Sequence, residues 1–139
     1  DNTCRNISVN NKETFNPDLI IAIGGGGLIP ARIMRSVLDV PIHVLTINYY
    51  DSNNNIMENP NIIQWIDPIA LKDKRVLIVD EINDTGKTLK YIMSKLDNTF
   101  KELGVMVIHD KIKDKVELNI ENYFVGQYIE DKWVVYPWE

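Results

Sequence analysis

The run Val76-Leu77-Ile78-Val79-Asp80-Glu81-Ile82-Asn83-Asp84-Thr85-Gly86-Lys87-Thr88 decides the fold. It opens with four consecutive apolar residues, three of them β-branched. With nothing polar at either parity, the run predicts a strand covered on both faces, as in a parallel sheet. Two carboxylates, Asp80 and Glu81, follow at its C-terminal end, and then a polar turn from Asn83 to Thr88. Beyond it Leu89, Ile92, Met93 and Leu96 recur at spacings of three and four, which predicts a helix from about Thr85 to Asp97 with one apolar face. The segment reads strand, acidic edge, turn, helix N-terminus.

Each part has a chemical use. A Thr-Gly-Lys-Thr turn at a helix N-terminus offers free backbone N–H groups and hydroxyls, and with the helix dipole these make a phosphate site; Lys87 adds charge. Carboxylates at the mouth of a parallel sheet lie where open α/β sheets bind ligands, and suit ribose hydroxyls or Mg²⁺. The plainer alternative is that Asp84 or Thr85 caps the helix and Asp80-Glu81 is a solvated strand end. A Walker A loop is excluded, because it needs glycine where Glu81 stands. The dinucleotide fingerprint starting at Gly24 fails at Ile29.

Working outward, Asp18 to Ile23 predicts a second buried strand. Gly24-Gly25-Gly26-Gly27 follows it, then a helix-like stretch from Leu28 to Leu38 with Pro30 in its first turn. Four glycines there either permit close backbone approach to a ligand, with N–H groups turned to an anion, or form a flexible connector. Pro41 to Ile47 predicts another strand, in which His43 is structural. Asn48 to about Asn61 is polar without a period and reads as a lid or disordered loop, with Ile62 to Ile66 a short strand returning from it. Leu103 to Ile108 predicts a buried strand ending at His109-Asp110-Lys111, followed by a loop from Lys113 to Asn122. Tyr123 to Gly126 and Trp133 to Val135 read as two short strands of a small appendage at the ligand edge. Tryptophan there packs in the core or stacks on a planar ligand. Residues 1–16 are polar with little periodicity, and the first residue is Asp1, not Met. They are expected to be a trimmed or flexible N-terminus.

A chain of 139 residues is one domain, 1–139, with a single sizeable core. Alternating strands and helices argue for an α/β fold. A net charge of −5 argues against nonspecific nucleic-acid binding. No apolar run is long enough to span a membrane, so neither partner is expected. A single cysteine, Cys4, rules out an intramolecular disulfide and a cysteine metal cluster, and suits a reducing cytoplasm.

Val76 to Thr88 resembles, throughout, the phosphoribosyl-pyrophosphate (PRPP) signature of type I phosphoribosyltransferases: a hydrophobic run, two acids, a hydrophobe, then Asp-Thr-Gly-x-Thr. Together with Pro17 to Gly27, Ile29 to Ile33, Gln64-Trp65-Ile66-Asp67, His109-Asp110-Lys111, Asp131-Lys132-Trp133 and Tyr136-Pro137-Trp138-Glu139, it makes the chain similar to purine phosphoribosyltransferases of the hypoxanthine-guanine type. The fungal form is the most similar, over roughly residues 17–139.

The resemblance implies a central, mainly parallel sheet flanked by helices, with a C-terminal hood of short strands over residues 123–139. It implies transfer of phosphoribose from PRPP to hypoxanthine, guanine or xanthine, with Mg²⁺, in a homodimer or tetramer. By it, Asp80 and Glu81 bind the ribose hydroxyls near the metal, and Glu139, where many relatives have Asp, lies near the metal and pyrophosphate. Asp84 serves N7 of the base. Thr85, Gly86, Lys87 and Thr88, beside Asp84, cradle the 5′-phosphate, and Gly24, Gly25 and Gly26 form the pyrophosphate loop. Lys111 donates to the purine O6, Trp133 stacks on the ring and the Val134 backbone meets its edge. Two departures stand out: Gly25, where many bacterial relatives carry Arg or Lys, and Asn48-Tyr49-Tyr50, where the lid commonly begins with Ser. The alternatives are a pyrimidine or adenine substrate, against which Lys111 and Trp133 argue, and a non-catalytic regulator that binds PRPP or nucleotide.

Overall fold

Val76, Leu77, Ile78 and Val79 are all fully buried, and their side chains alternate between two separate clusters. Val76 and Ile78 join Leu19, Ile21, Leu89 and Ile92 on one face; Leu77 and Val79 join Ile20, Ala31 and Met34 on the other. The strand has no polar parity because both of its faces are covered.

The computed structural model describes residues 1–96 and 100–139. In chain order the elements are α1 (Asn2–Thr14), β1 (Leu19–Gly24), α2 (Leu28–Leu38), β2 (Ile42–Tyr50) and β3 (Ile56–Gln64). A 3₁₀ turn at Pro68–Leu71 precedes β4 (Arg75–Asn83), α3 (Lys87–Lys95), β5 (Glu102–Ile112) and β6 (Asn122–Glu130). One six-stranded sheet runs in the order β3-β2-β1-β4-β5-β6. Only the β2–β3 pair is antiparallel. β1, β4 and β5 therefore end at the same edge, with Gly24, Asp80 to Asn83 and Asp110-Lys111 side by side. The expected helix end at Asp97 lies outside the described residues.

Three expectations are corrected. Residues 1–16 are neither flexible nor loop-like: α1 buries Cys4, Ser8 and Asn11. With Phe15 these keep a helical period, but two of the four are polar, so no apolar stripe shows. The Ser8 hydroxyl is satisfied within the helix, donating to the Cys4 carbonyl at 2.7 Å.

The polar stretch from Asn48 to Asn61 is a hairpin, not a long loop. The Asp51 carboxylate accepts the N–H groups of Asn53 and Asn55 at 2.8 and 2.9 Å, an Asx turn that reverses the chain within five residues. β3 is an edge strand with mostly exposed side chains and Pro60 within it, so it lacks the alternation of a half-buried strand.

Among the described residues, 123–139 holds one long strand in place of the expected short ones. β6 is a nine-residue strand paired parallel to β5 over its full length, and Trp133 to Val135 has no regular structure.

Double coverage of β4 carries a measurable consequence. Truncating the fully buried Ile78 to Ala is expected to lower unfolding free energy by about 2–5 kcal/mol in urea titrations. Ile112→Ala, at a site 66% exposed at the end of β5, is expected to cost less than about 0.5 kcal/mol.

Candidate active site

Where β4 leaves the sheet it must change character, because its last residues are no longer covered by helices. Asp80 is still buried, and burial pushes its carboxyl well above the ordinary carboxylate range, with the hydrogen bond and charge of Glu81 adding to the rise. The Glu81 N–H donates to Asp80 Oδ1 at 2.9 Å. Glu81 Oε2 is buried with no hydrogen-bond partner among the described residues. A carboxylate oxygen in that state calls for a hydroxyl donor or a cation.

The glycine tract lies against this acid pair. A Cβ on Gly26 would land on the Glu81 carboxylate, and one on Gly27 would run into the carbonyls of Val79 and Ile23. A Cβ on Gly25 would meet nothing within 4 Å. The first two glycines permit contact between chain segments, whereas Gly25 faces open space. The connector alternative is set aside, since β1, the tract and α2 join without slack.

The turn after β4 places Gly86 at the cap position of α3 with φ at +81°, in the left-handed region that favours glycine. No side chain caps the helix from that position. The Lys87 N–H makes a long 3.4 Å bond to the Thr85 hydroxyl, and the first turn of α3 leaves amides without a partner inside the helix, a geometry suited to an anion.

Beside the acid pair lies a cavity of about 350 Å³. Asp80, Glu81, Asp84, Thr85, Gly86, Thr88, Lys111, Trp133, Val134 and Glu139 all line it. Ten of the residues singled out from sequence are thus brought together. Gly24, Gly25 and Gly26 do not line the cavity, and of the three Gly26 lies against Glu81. Lys87 lines a different, larger groove of about 660 Å³ between the β2–β3 hairpin and α3, where the Tyr49 hydroxyl donates to its carbonyl at 3.3 Å. Trp133 stands 85% exposed at the rim, an open aromatic face for a planar group.

Asp84 is held by two lysines. Lys111 donates to its Oδ2 at 3.1 Å and Lys113 to its Oδ1 at 2.8 Å. Partial burial opposes ionisation of Asp84, but these two cationic donors outweigh it and hold the carboxyl below its ordinary value. Both lysines also reach Asp131, Lys111 at 3.6 Å and Lys113 at 3.2 Å.

Several contributors were not singled out from sequence. Asn83, which lines the cavity, and Asp110, which does not, are both buried, and the Tyr123 hydroxyl bonds both, donating to Asp110 at 2.5 Å and accepting from Asn83 at 3.0 Å. Lys115 pairs with Asp110 at 2.7 Å and donates to the Lys111 carbonyl. Tyr136 donates to the Glu81 carbonyl at 3.2 Å, so its 2.7 Å contact with His109 Nδ1 leaves that nitrogen as the donor. Burial lowers the His109 pKa, which keeps the ring neutral. The sequence signals for these residues are uneven: His109, Asp110 and Tyr136 stand in stretches that carry the family resemblance, Asn83 opens the polar turn at the end of β4, and Lys115 and Tyr123 carry no site signal.

A sheet edge that joins two carboxylates, an uncapped helix N-terminus and an aromatic rim defines an α/β protein built to hold a phosphorylated ligand with a planar group. Comparison with known proteins makes this specific. The phosphoribosyl transferase domain matches residues 3–139, and the chain belongs to that family. It is 36% identical to hypoxanthine-guanine phosphoribosyltransferase of Saccharomyces cerevisiae, across 96% of this chain and 79% of the relative. It is 35% identical to xanthine phosphoribosyltransferase 1 of the same yeast, across 88% and 77%. Among solved structures, a hypothetical protein from Neisseria gonorrhoeae with bound ppGpp superposes with a TM-score of 0.87 at 38% identity, covering 99% of this chain and 83% of that one. Purine phosphoribosyltransferase from Pyrococcus horikoshii superposes at 0.79 with 33% identity, covering 99% and 87%.

The glycine geometry separates two neighbours. Gly27→Ala, which forces a methyl onto backbone, is expected to cost about 1–3 kcal/mol in urea unfolding. Gly25→Ala is expected to stay within about 0.5 kcal/mol of the parent protein.

Proposed function

We propose that the protein transfers the 5-phosphoribosyl group of PRPP to a 6-oxopurine, releasing pyrophosphate and forming the nucleoside 5′-monophosphate in purine salvage. The observation that carries this is the single cavity in which acid pair, phosphate turn, Asp84, Lys111 and Trp133 meet. In this reading the amides of Thr85 to Thr88 hold the 5′-phosphate and the carboxylates of Asp80 and Glu81 take the ribose hydroxyls. The planar base stacks on Trp133, and the Val134 backbone meets its edge. Asp84 accepts the proton at N7, and Lys111 donates to O6.

Lys111 is donor-only. Adenine carries a 6-amino donor in place of O6, so its binding would leave a nearly buried ammonium facing another donor. That mismatch favours hypoxanthine, guanine or xanthine.

The residues also fit Mg²⁺. Glu81 has a buried, unsatisfied oxygen among the described residues, and Asp80 and Glu139 line the same cavity. No three His, Cys, Asp or Glu side chains among the described residues converge on one point, so a metal there would take most of its ligands from water and PRPP oxygens. Bound, Mg²⁺ would offset charge on the departing pyrophosphate. The chain's own part is to hold the ribose so that positive charge developing at its reacting carbon faces Glu81.

The setting we propose is the cytoplasm, in a homodimer or tetramer. No helix among the described residues is long and apolar enough to cross a membrane. The net charge of −5 supports a protein without nucleic-acid partners.

A second reading has its own observation. The Neisseria gonorrhoeae relative holds ppGpp, a guanine nucleotide rich in phosphate, which favours a non-catalytic nucleotide-binding regulator.

One assay separates the two. With PRPP and Mg²⁺, at least one 6-oxopurine is expected to yield nucleotide, with adenine slower by about 10²-fold or more. Asp84→Asn should lower kcat/KM by about 10²–10⁴-fold. Gly26→Ala, which displaces the Glu81 side chain, should raise KM for PRPP while leaving the unfolding midpoint in place. Binding of PRPP or ppGpp without turnover of any base would select the regulator.

A further inference from the structure

Asp84, Lys111, Lys113 and Asp131 form a closed ring of four charges in which each lysine reaches both carboxylates. The ring straddles the cavity wall: Lys111 and Asp84 line the cavity, whereas Lys113 and Asp131 do not. The two lysines divide the Asp84 carboxylate between them, Lys111 on Oδ2 and Lys113 on Oδ1.

This division matters on the proposed reaction, on which the inference rests. A 6-oxopurine presents O6 and N7 side by side. To meet O6, the Lys111 ammonium must leave Asp84, and that departure frees Oδ2 to accept from N7. Without a second cation, Asp84 would then lose its only charged partner at the moment the base arrives. Lys113 lies outside the cavity and stays on Oδ1, tied in turn by Asp131 at 3.2 Å from the segment after β6.

We propose that Lys113, anchored by Asp131, is a positioning residue that holds Asp84 in register while Lys111 is handed over to the substrate. The groups facing Asp84 are Lys111 from β5 and Lys113 from the segment after it, with Asp131 behind both. Lys113 acts through Asp84 and does not itself touch the base. Its loss leaves Lys111 shared between two carboxylates, so the base must compete for it.

The test is steady-state kinetics of the full chain with PRPP, Mg²⁺ and a 6-oxopurine, comparing the parent with Lys113→Met, Lys113→Arg and Asp131→Asn. For Lys113→Met, kcat/KM for the base is expected to fall at least about tenfold, with KM for PRPP unchanged. The acid limb of its pH profile should move to higher pH, because Asp84 loses one of the cations that keep it ionised. Lys113→Arg should restore both. Asp131→Asn should lower kcat/KM in the same direction by less, because Lys113 loses its anchor, and this repeats the test if the Met variant does not fold; its acid limb should not move to higher pH, because the substitution removes a negative charge that competes with Asp84 for both lysines. A kcat/KM within twofold of the parent with an unmoved acid limb overturns the role of Lys113, as does an equal loss of PRPP affinity. Absence of nucleotide from the parent protein would instead overturn the reaction itself, so the two failures are distinguishable.

Discussion

Coverage of β4 on both faces is the constraint from which the rest follows. A strand packed between α3 on one side and α1 with α2 on the other cannot carry a polar side chain along its length without stranding it in a dry layer. Polarity is therefore deferred to the point where the strand emerges, and there it arrives all at once: Asp80, Glu81, Asn83, Asp84. Parallel pairing sends β1 and β5 out at the same edge, so the glycine tract and Lys111 reach the place where β4 turns polar. The site is a product of topology before it is a product of any one residue.

Lys111 could not be held at that edge by packing alone. Its backbone is fixed by a polar cluster beside the cavity, in which Asn83 Nδ2, Tyr123, Asp110 and Lys115 bond one another and Lys115 closes onto the Lys111 carbonyl, while Asn83 Oδ1 has no partner among the described residues. Burial, and then the Asp110 hydrogen bond, drives the Tyr123 hydroxyl far above its ordinary pKa, so it remains a donor. Tyr136 does the corresponding work for the acid pair. It bonds the Glu81 carbonyl and His109, and it stacks on Trp138 at 5.0 Å, bringing the C-terminal segment and Glu139 over the cavity.

What sequence made legible was what periodicity and local chemistry can carry. Four apolar residues followed by two acids announced β4 and its edge; the glycine tract reads as room for a ligand, whereas what the structure shows is Gly26 against Glu81. What escaped were elements whose burial is not written in apolar residues. α1 buries Ser8 and Asn11, so its stripe looks polar. β3 exposes both faces and carries Pro60, so it looks like a loop. β6 was read as a short appendage because nothing in nine residues with mixed burial says how long its pairing with β5 runs. The partners of Asp84 were half legible. Lys111 came with the family resemblance, but Lys113 and Asp131 meet only because β5 and β6 end side by side, a tertiary fact without a local signature.

The electrostatics of the cavity give the last step. Asp80, Glu81, Asp84 and Glu139 all line it, in a chain of net charge −5, yet the ligand proposed for it is a polyanion. The four acids are not equivalent. Asp84 is balanced by lysines that also balance Asp131, so the ring as a whole is neutral. Asp80 sits where burial favours its neutral form. On the proposed reaction the 5′-phosphate would be met by amides at the start of α3, which carry partial positive charge without any side chain. What remains uncompensated is Glu81, with its unsatisfied oxygen, and Glu139 at the rim. A pyrophosphate brought to that corner meets negative charge unless a divalent cation comes with it. On the proposed reaction, such an arrangement would favour a substrate that carries its own metal over a bare one.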